Sequence, residues 1–495
     1  MRALLGKTLL LLLFVPLFCF AQESETTIVY LSANAEIYDF KGKGGIPSLA
    51  SLLKKIRSEN QNVVVLHGGG AIAPSTLSSF DRGAHMIDLL NHLQVDGLSV
   101  AKSELAYSED ELTLRSQEAS FPFISSNIHD PLSKGSIEGV ERSVIIEAGT
   151  ISIGVISAID PEVTLDYLPT RVRIIDIKDS VEKEVAHLKK QGADLIILMT
   201  DYHFPEAPFF LESGLVDMVL TSKNDDQTIA VSKGFYLEHG RSDSAALIRV
   251  LPGGATDDGG RHRYSFKFES FADYPADQKL QTMVAQYLRL LTDILEIEVG
   301  VTETELDTRR ESVRTAENAF GNLVADAMRE FYDADIGLMN GGGIRGDKVY
   351  PPGTRLTRGD IHREIPFRNH VVQLRVTGSQ IREAIENGLS RIQDVKGRYP
   401  HLSGMAVEYN SALPPGQRIV SIKVNNKILL PEQNYTLATV SFLAEGGDGY
   451  DAFSGAERLD LHGSSRLLWE YVRDYISSQK VIAPTIQGRL RDISR

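Results

Sequence analysis

The sequence predicts an α/β protein of two domains, and three observations carry that reading. From Thr26 onward short β-rich runs alternate with longer helical runs, which implies crossover units and largely parallel sheets covered by helices. A glycine- and Asp-rich stretch, PGGATDDGGRH (252–262), interrupts the alternation. After it, DQKLQTMVAQYLRLLTDILEI (277–297) reads as one long amphipathic helix, and a second mixed α/β segment follows from about residue 300.

The elements justify themselves in order. MRALLGKTLLLLLFVPLFCFA (1–21) carries Arg2 and Lys7, then an apolar run, then Cys19-Phe20-Ala21. That is the layout of a cleaved secretory signal, since the run is shorter than the ~20 apolar residues of a membrane span. A lipoprotein signal at Cys19 is the rival, and the bulky Phe18 before it argues against that. TTIVYL (26–31) reads as a strand, and PSLASLLKKIRSEN (47–60) has apolar residues at 49, 52, 53 and 56 in helical spacing. VVVL (63–66), AHMIDLLNHL (84–93), DGLSVA (96–101), ISIGVISAI (151–159), SVEKEVAHLKKQG (180–192), ADLIILMT (193–200) and VDMVLTS (216–222) continue the pattern. The expected organisation is a signal at 1–21, a first domain at 25–272, a linking helix at 273–299 and a second domain at 300–495.

Composition bounds the function. With 42% hydrophobic and 24% charged residues the chain of 495 residues is an ordinary globular protein. Cys19 is its only cysteine, so cleavage leaves no disulfide, thiol nucleophile or thiolate ligand. Losing Arg2 and Lys7 moves the formal charge from -14 to -16. A chain this acidic, without a basic run, is a poor partner for nucleic acid or an anionic membrane. A negative ligand must be held by a few local cations.

Five motifs in the second segment carry a family resemblance: RTAENAFGNLVADAM (314–328), LMNGGGIR (338–345), IPFRNHVVQLRVTG (365–378), YPHLSGMAVEY (399–409) and FLAEGGDGY (442–450). Together and in this order they resemble the 5′-nucleotidase/UDP-sugar hydrolase family. Fragments such as GGIPSLASLLKKIRSEN (44–60) and FPFISSNI (121–128) extend the likeness to the first domain. The resemblance implies a metallophosphatase-like α/β sandwich holding two metal ions, a linking helix, and a C-terminal domain that recognises the nucleoside.

In the first domain the residues depart from what that resemblance implies. Two metals about 3.5–4 Å apart need carboxylates and imidazoles converging from several strand ends. The family's Asp-x-His positions hold Ala35 and Ile37, and its bridging Asp is Gly70, after Gly69. Its Gly-Asn-His positions hold Ala101, Lys102 and Ser103, followed by Glu104. Asp201 stands where a histidine is expected, with His203 two residues late, and Lys223, Asn224 and Asp225 replace Gly-His-x-His. A lysine ammonium neutralising Asp201 or Asp225 is one reading, and solvated lysines are the other. A replacement metal set from His67, Glu104, Asp201, His203 and Asp225 lacks the bridging carboxylate and finds no support in the spacing, and a slipped Asp39 would require the same slippage independently at all five loops. No metal or other cofactor is expected.

In the second domain the matches hold. Asn340, Gly342, Gly343 and Arg345 follow a strand, with the glycines expected to let backbone N–H groups approach a ligand. The resemblance gives Arg345 to ligand binding; the alternative is a structural pair with Asp360. Asn369 is expected to hydrogen-bond the ligand ahead of Arg368 or Arg375. The resemblance implies two aromatic rings that stack the base, assigned to Tyr399 and Tyr450, with Gly447 and Asp448 shaping the second loop. RTAENAFGNLVADAM is expected to be mainly structural.

Three functions remain open. The first is an exported nucleotide- or nucleoside-binding protein, periplasmic or secreted, without the metal centre. The second is an active phosphohydrolase of nucleotide catabolism. The third is an interaction protein with a vestigial pocket.

Overall fold

The computed structural model describes residues 25–32, 37–38, 42, 44–73, 75–159, 171–201, 207–222, 227–229, 234–252, 262–459 and 466–494. The leader 1–21, Ala35, Asp39, His203, Lys223, Asn224, Asp225 and most of the glycine-rich break lie outside them.

The first half is two facing sheets. In one, Thr26–Leu31, Val63–His67, Gly97–Ser99 and Phe123–Ile124 run parallel, and Ser244–Pro252 and His262–Ser270 are added antiparallel beside the first strand. In the other, Ile151–Ala158, Leu195–Thr200, Met218–Thr221 and Phe235–Glu238 run parallel, with Ser143–Ala148 antiparallel at the edge. Strands buried on both faces read as continuous apolar runs, and side-chain alternation decides which way each residue points. Ile28, Tyr30, Val64 and Leu66 fill the layer between the sheets with Ile153, Val155, Ile197, Met199 and Leu220. Val29, Leu31 and Val65 face the other way, toward the helices Ile46–Glu59 and Ala84–Leu93.

The expected long helix is Gln278–Leu295, with the Asp277 carboxylate accepting the Leu280 N–H at 3.1 Å as its cap. It leans on the first half through Tyr287, whose hydroxyl donates to Asp88 Oδ2 at 2.7 Å, and through the Lys54–Asp277 ion pair.

The second half places its motifs by topology. Its five-stranded sheet runs in the order Pro400–Ser403, Ile336–Asn340, Asn434–Val440, Val371–Thr377, Glu457–Arg458. Ile336 pairs in parallel with Leu437, so Asn340 and Val440 leave the sheet at one edge. Val371 lies opposite Val440 and Pro400 opposite Asn340, so the residues before each arrive at that same edge. Segments some 100 residues apart in the chain are therefore neighbours in space. The two halves meet through Arg82–Glu470 at 2.8 Å and through Phe80 against Trp469, with ring centroids 5.0 Å apart.

Candidate functional site

The shared edge of the second-half sheet carries a polar cluster with two unsatisfied atoms. Asn340, 3% exposed, donates from Nδ2 to Asp448 Oδ2 at 2.7 Å, and its Oδ1 has no partner among the described residues. Arg314, 7% exposed, is left with an unpartnered Nε. Both atoms are free to accept or donate a further hydrogen bond. Burial lowers the Arg314 guanidinium first, then repulsion from Arg310 and Arg345, against the pull of Asp448 and Asp347. Arg310 and Arg345 are thus near enough to Arg314 for their charges to be felt there. Arg345 lies over the Phe367 ring, 5.5 Å from its centroid.

The loop is built from beneath. Glu364 accepts the Gly346 N–H at 3.1 Å, the Tyr350 hydroxyl at 2.7 Å and the Thr308 hydroxyl at 3.1 Å, while its own carbonyl accepts the Arg345 N–H at 2.8 Å. Gly342 acts otherwise than expected. The N–H groups of Gly341 and Gly342 are spent on the Tyr399 and Gly397 carbonyls, each at 2.7 Å. What Gly342 contributes is room, because a Cβ there would stand 2.9 Å from Gly397 Cα and 3.2 Å from Asp448 Oδ2. Gly447 likewise lets the Phe442 ring lie back, since a Cβ would meet that ring at 2.5 Å.

Tyr399 and Tyr450, put forward as the stacking pair, sit in the core at 1% and 0% exposure. Tyr399 packs edge-on against His401 and its hydroxyl lies 3.5 Å from that of Tyr409. Tyr450 stacks on Phe453 and donates to the Arg398 carbonyl at 2.7 Å. Neither offers a face to a ligand. The aromatic rings exposed at this edge are Phe367 and Phe442, 43% and 41% accessible. Both line a cavity of about 560 Å³ with Asn369, Arg368 and Glu445, closed from the first half by Ser75, Thr76 and Ser79. Asn369 is half-buried there, Asp360 pairs with Lys348 and Arg363, and Arg375 pairs with Glu457.

Arg310, Arg314, Phe442 and Glu445 are not among the ligand-binding residues the sequence puts forward. RTAENAFGNLVADAM is structural at Asn318, which caps its helix through Gly321 N–H, and at Asn322, bonded to Glu317 at 2.7 Å. Its leading arginine is the buried Arg314 described above. The available signal for Phe442 was an aromatic residue between a strand and a glycine run.

Hydroxyl pairs join several of the first-half strand ends. The Tyr30 hydroxyl meets Ser222 Oγ at 2.8 Å, and Ser222 donates to the Gly68 carbonyl at 2.9 Å. Ser99 and Ser157 join at 2.5 Å, and Thr200 and Thr221 at 2.9 Å. Gly69 and Gly70 have φ of 93° and 79°, strained values for an L-aspartate. Glu104 is committed elsewhere: it accepts the N–H groups of Gly70, Ala71, Ile72 and Ala101 at 2.7–3.2 Å, and the Ser103 hydroxyl at 3.2 Å. Burial pushes its carboxyl up and the four backbone donors push it back. Ile37 is core, and the Lys102 N–H donates to Asp201 Oδ2 at 2.7 Å. His67 is fully buried, accepts the Gly69 N–H at Nδ1, and is pushed by burial down to about 4. Among the described residues no three His, Cys, Asp or Glu side chains stand close enough to hold a metal ion. The described strand ends therefore do not fit a two-metal centre.

Residues 298–455 match the family described as "5′-nucleotidase, C-terminal domain". The chain is 25% identical to the snake venom 5′-nucleotidase of Crotalus adamanteus, over 90% of this chain and 83% of that one. It is 32% identical to the trifunctional nucleotide phosphoesterase protein YfkN of Bacillus subtilis, over 42% of this chain and only 15% of that protein. Among solved structures it resembles the NAD nucleotidase of Haemophilus influenzae, with a TM-score of 0.61, 17% identity, and coverage of 94% and 99%.

Proposed function

We propose that this chain, which belongs to the 5′-nucleotidase family, is an exported nucleotide-binding protein that does not hydrolyse its ligand. One contrast carries the reading. The second half keeps the exposed rings Phe367 and Phe442 and the buried polar groups Asn340 and Arg314, while at the first-half ligand positions of the family stand Ile37, Gly70, Lys102 and Ser103, and hydroxyl pairs join several strand ends.

In this reading the base stacks against the two phenylalanines, which tolerate any π face. Asp448, an acceptor at both oxygens when ionised, takes ribose hydroxyls. Arg310, Arg314 and Arg345 take the phosphate, whose charge relieves their mutual repulsion. The names of the relatives support a nucleotide as ligand class. Export rests on the leader at 1–21, and no helix among the described residues is long and apolar enough to cross a membrane.

The test is calorimetric titration of the protein with AMP, with and without Mn²⁺, beside a phosphate assay. Saturable heat with no phosphate formed supports a binding protein. Phosphate release that requires Mn²⁺ overturns it in favour of a hydrolase.

A further inference from the structure

We infer that Phe80 and Arg82 form a built-in clasp that holds the two halves in one arrangement, so that the cavity between them exists before any ligand arrives. The inference stands whatever that cavity binds.

Two halves joined through one helix move against each other unless an interface holds them. Here one turn of the first half supplies the grip. The turn is fixed from within its own half: the Asp81 carboxylate accepts the Gly83 and His85 N–H groups, each at 3.0 Å, and faces His85 Nδ1 at 2.8 Å. Arg115 donates to the Asp81 carbonyl at 3.3 Å. Arg82 sits at φ 56°, a left-handed conformation that costs energy in a residue other than glycine.

From that position Arg82 reaches the second half. Its guanidinium lies over the Tyr107 ring, 4.7 Å from the centroid, and donates to Glu470 Oε2 at 2.8 Å. Glu470 is itself fixed, because the same oxygen accepts the Leu467 N–H at 2.7 Å and caps the helix Leu468–Gln479. The pair is largely withdrawn from solvent, with side chains 17% and 12% exposed. Phe80 packs beside it, its ring centroid 5.0 Å from Trp469 and 5.6 Å from His362. His370 adds a further contact, with Nε2 3.3 Å from the Ala106 carbonyl. The clasp stands at the rim of the cavity. Ser75, Thr76 and Ser79 lead into Phe80 and line the first-half wall, and His362 lines the other. Parting the clasp therefore parts the walls.

The chain reports on its own clasp, because Trp469, 1% exposed, is its only tryptophan. Acrylamide quenching of its fluorescence and small-angle X-ray scattering are measured without ligand on the parent, Phe80→Ala, Arg82→Gln and Glu470→Gln. Glutamine at 470 keeps an acceptor for the Leu467 N–H, so the helix cap survives, and circular dichroism verifies each fold. Removing one member of a desolvated charge pair shifts the ratio of closed to open molecules by roughly 30-fold or more. The parent is expected to be compact with Trp469 shielded. Each variant is expected to raise quenching and the radius of gyration together. The double variant Arg82→Gln/Glu470→Gln is expected to go no further than either single change, since both break the same contact. An accessible Trp469 in the parent overturns the inference. So does quenching that rises at unchanged radius, which marks local loosening alone. Variants that stay shielded and compact overturn it as well, because other contacts then hold the halves.

Discussion

Truncating the exposed rings and altering the buried ones separates affinity from stability. Phe367 and Phe442 are 43% and 41% accessible, so Phe367→Ala or Phe442→Ala removes little packing and costs less than about 1 kcal/mol of stability. Each removes a stacking surface of about 1–3 kcal/mol per base, which weakens AMP binding roughly 5- to 150-fold. Tyr399→Ala does the reverse. It empties a core site at 1% exposure and costs about 3–5 kcal/mol, a fall in melting temperature of roughly 10 °C for a domain of this size. Tyr450→Phe keeps the ring and deprives the Arg398 carbonyl of its donor, a loss of about 1–3 kcal/mol in stability with affinity retained. Calorimetry with AMP and thermal unfolding of the four variants give the two readouts. Normal affinity in both phenylalanine variants, with binding abolished by Tyr450→Phe at unchanged melting temperature, would refute the assignment of the aromatic face.

Two further outcomes are expected. His67 and His401 are fully buried, one in each half, and desolvation lowers both from 6.5 to about 4. Between those values the unfolded chain binds more protons than the folded one, so stability falls as pH drops through 6.5. At pH 5 each histidine costs about 2 kcal/mol relative to neutral pH. Urea denaturation at pH 7.5 and 5.0 measures the slope, and a His67→Gln variant that leaves it unchanged contradicts the account. Glu104→Gln turns an amide donor toward backbone donors at Gly70, Ala71, Ile72 and Ala101. It is expected to destabilise the first half by at least about 3 kcal/mol. Hydrogen exchange at residues 69–72 reads that loss, and unchanged protection counts against the Glu104 anchor.

Much of the fold was legible because it rests on local period. Continuous apolar runs mark strands buried on both faces, and the spacing of 49, 52, 53 and 56 marks a helix. The motif order around NGGGIR and GGDGY carried the resemblance, and the two motifs do meet, through the Asn340–Asp448 hydrogen bond. Which aromatic residues face that edge was not legible. Tyr399 directly precedes a strand whose register against Asn340 turns its ring inward, and register is a property of the partner strand. Phe442 is exposed because the turn after Val440 projects it past Gly447, a contact with no periodic signature. Arg314 is held beside this sheet by a contact from far along the chain, the His401 ring donating from Nε2 to the neighbouring Val313 carbonyl, 88 residues away, at 2.9 Å. By itself the sequence determined the elements, their order and the residue types at the family's ligand positions. Only the tertiary structure decided which side chains converge, because convergence depends on pairings such as Tyr30 with Ser222, 192 residues apart, that no local pattern encodes.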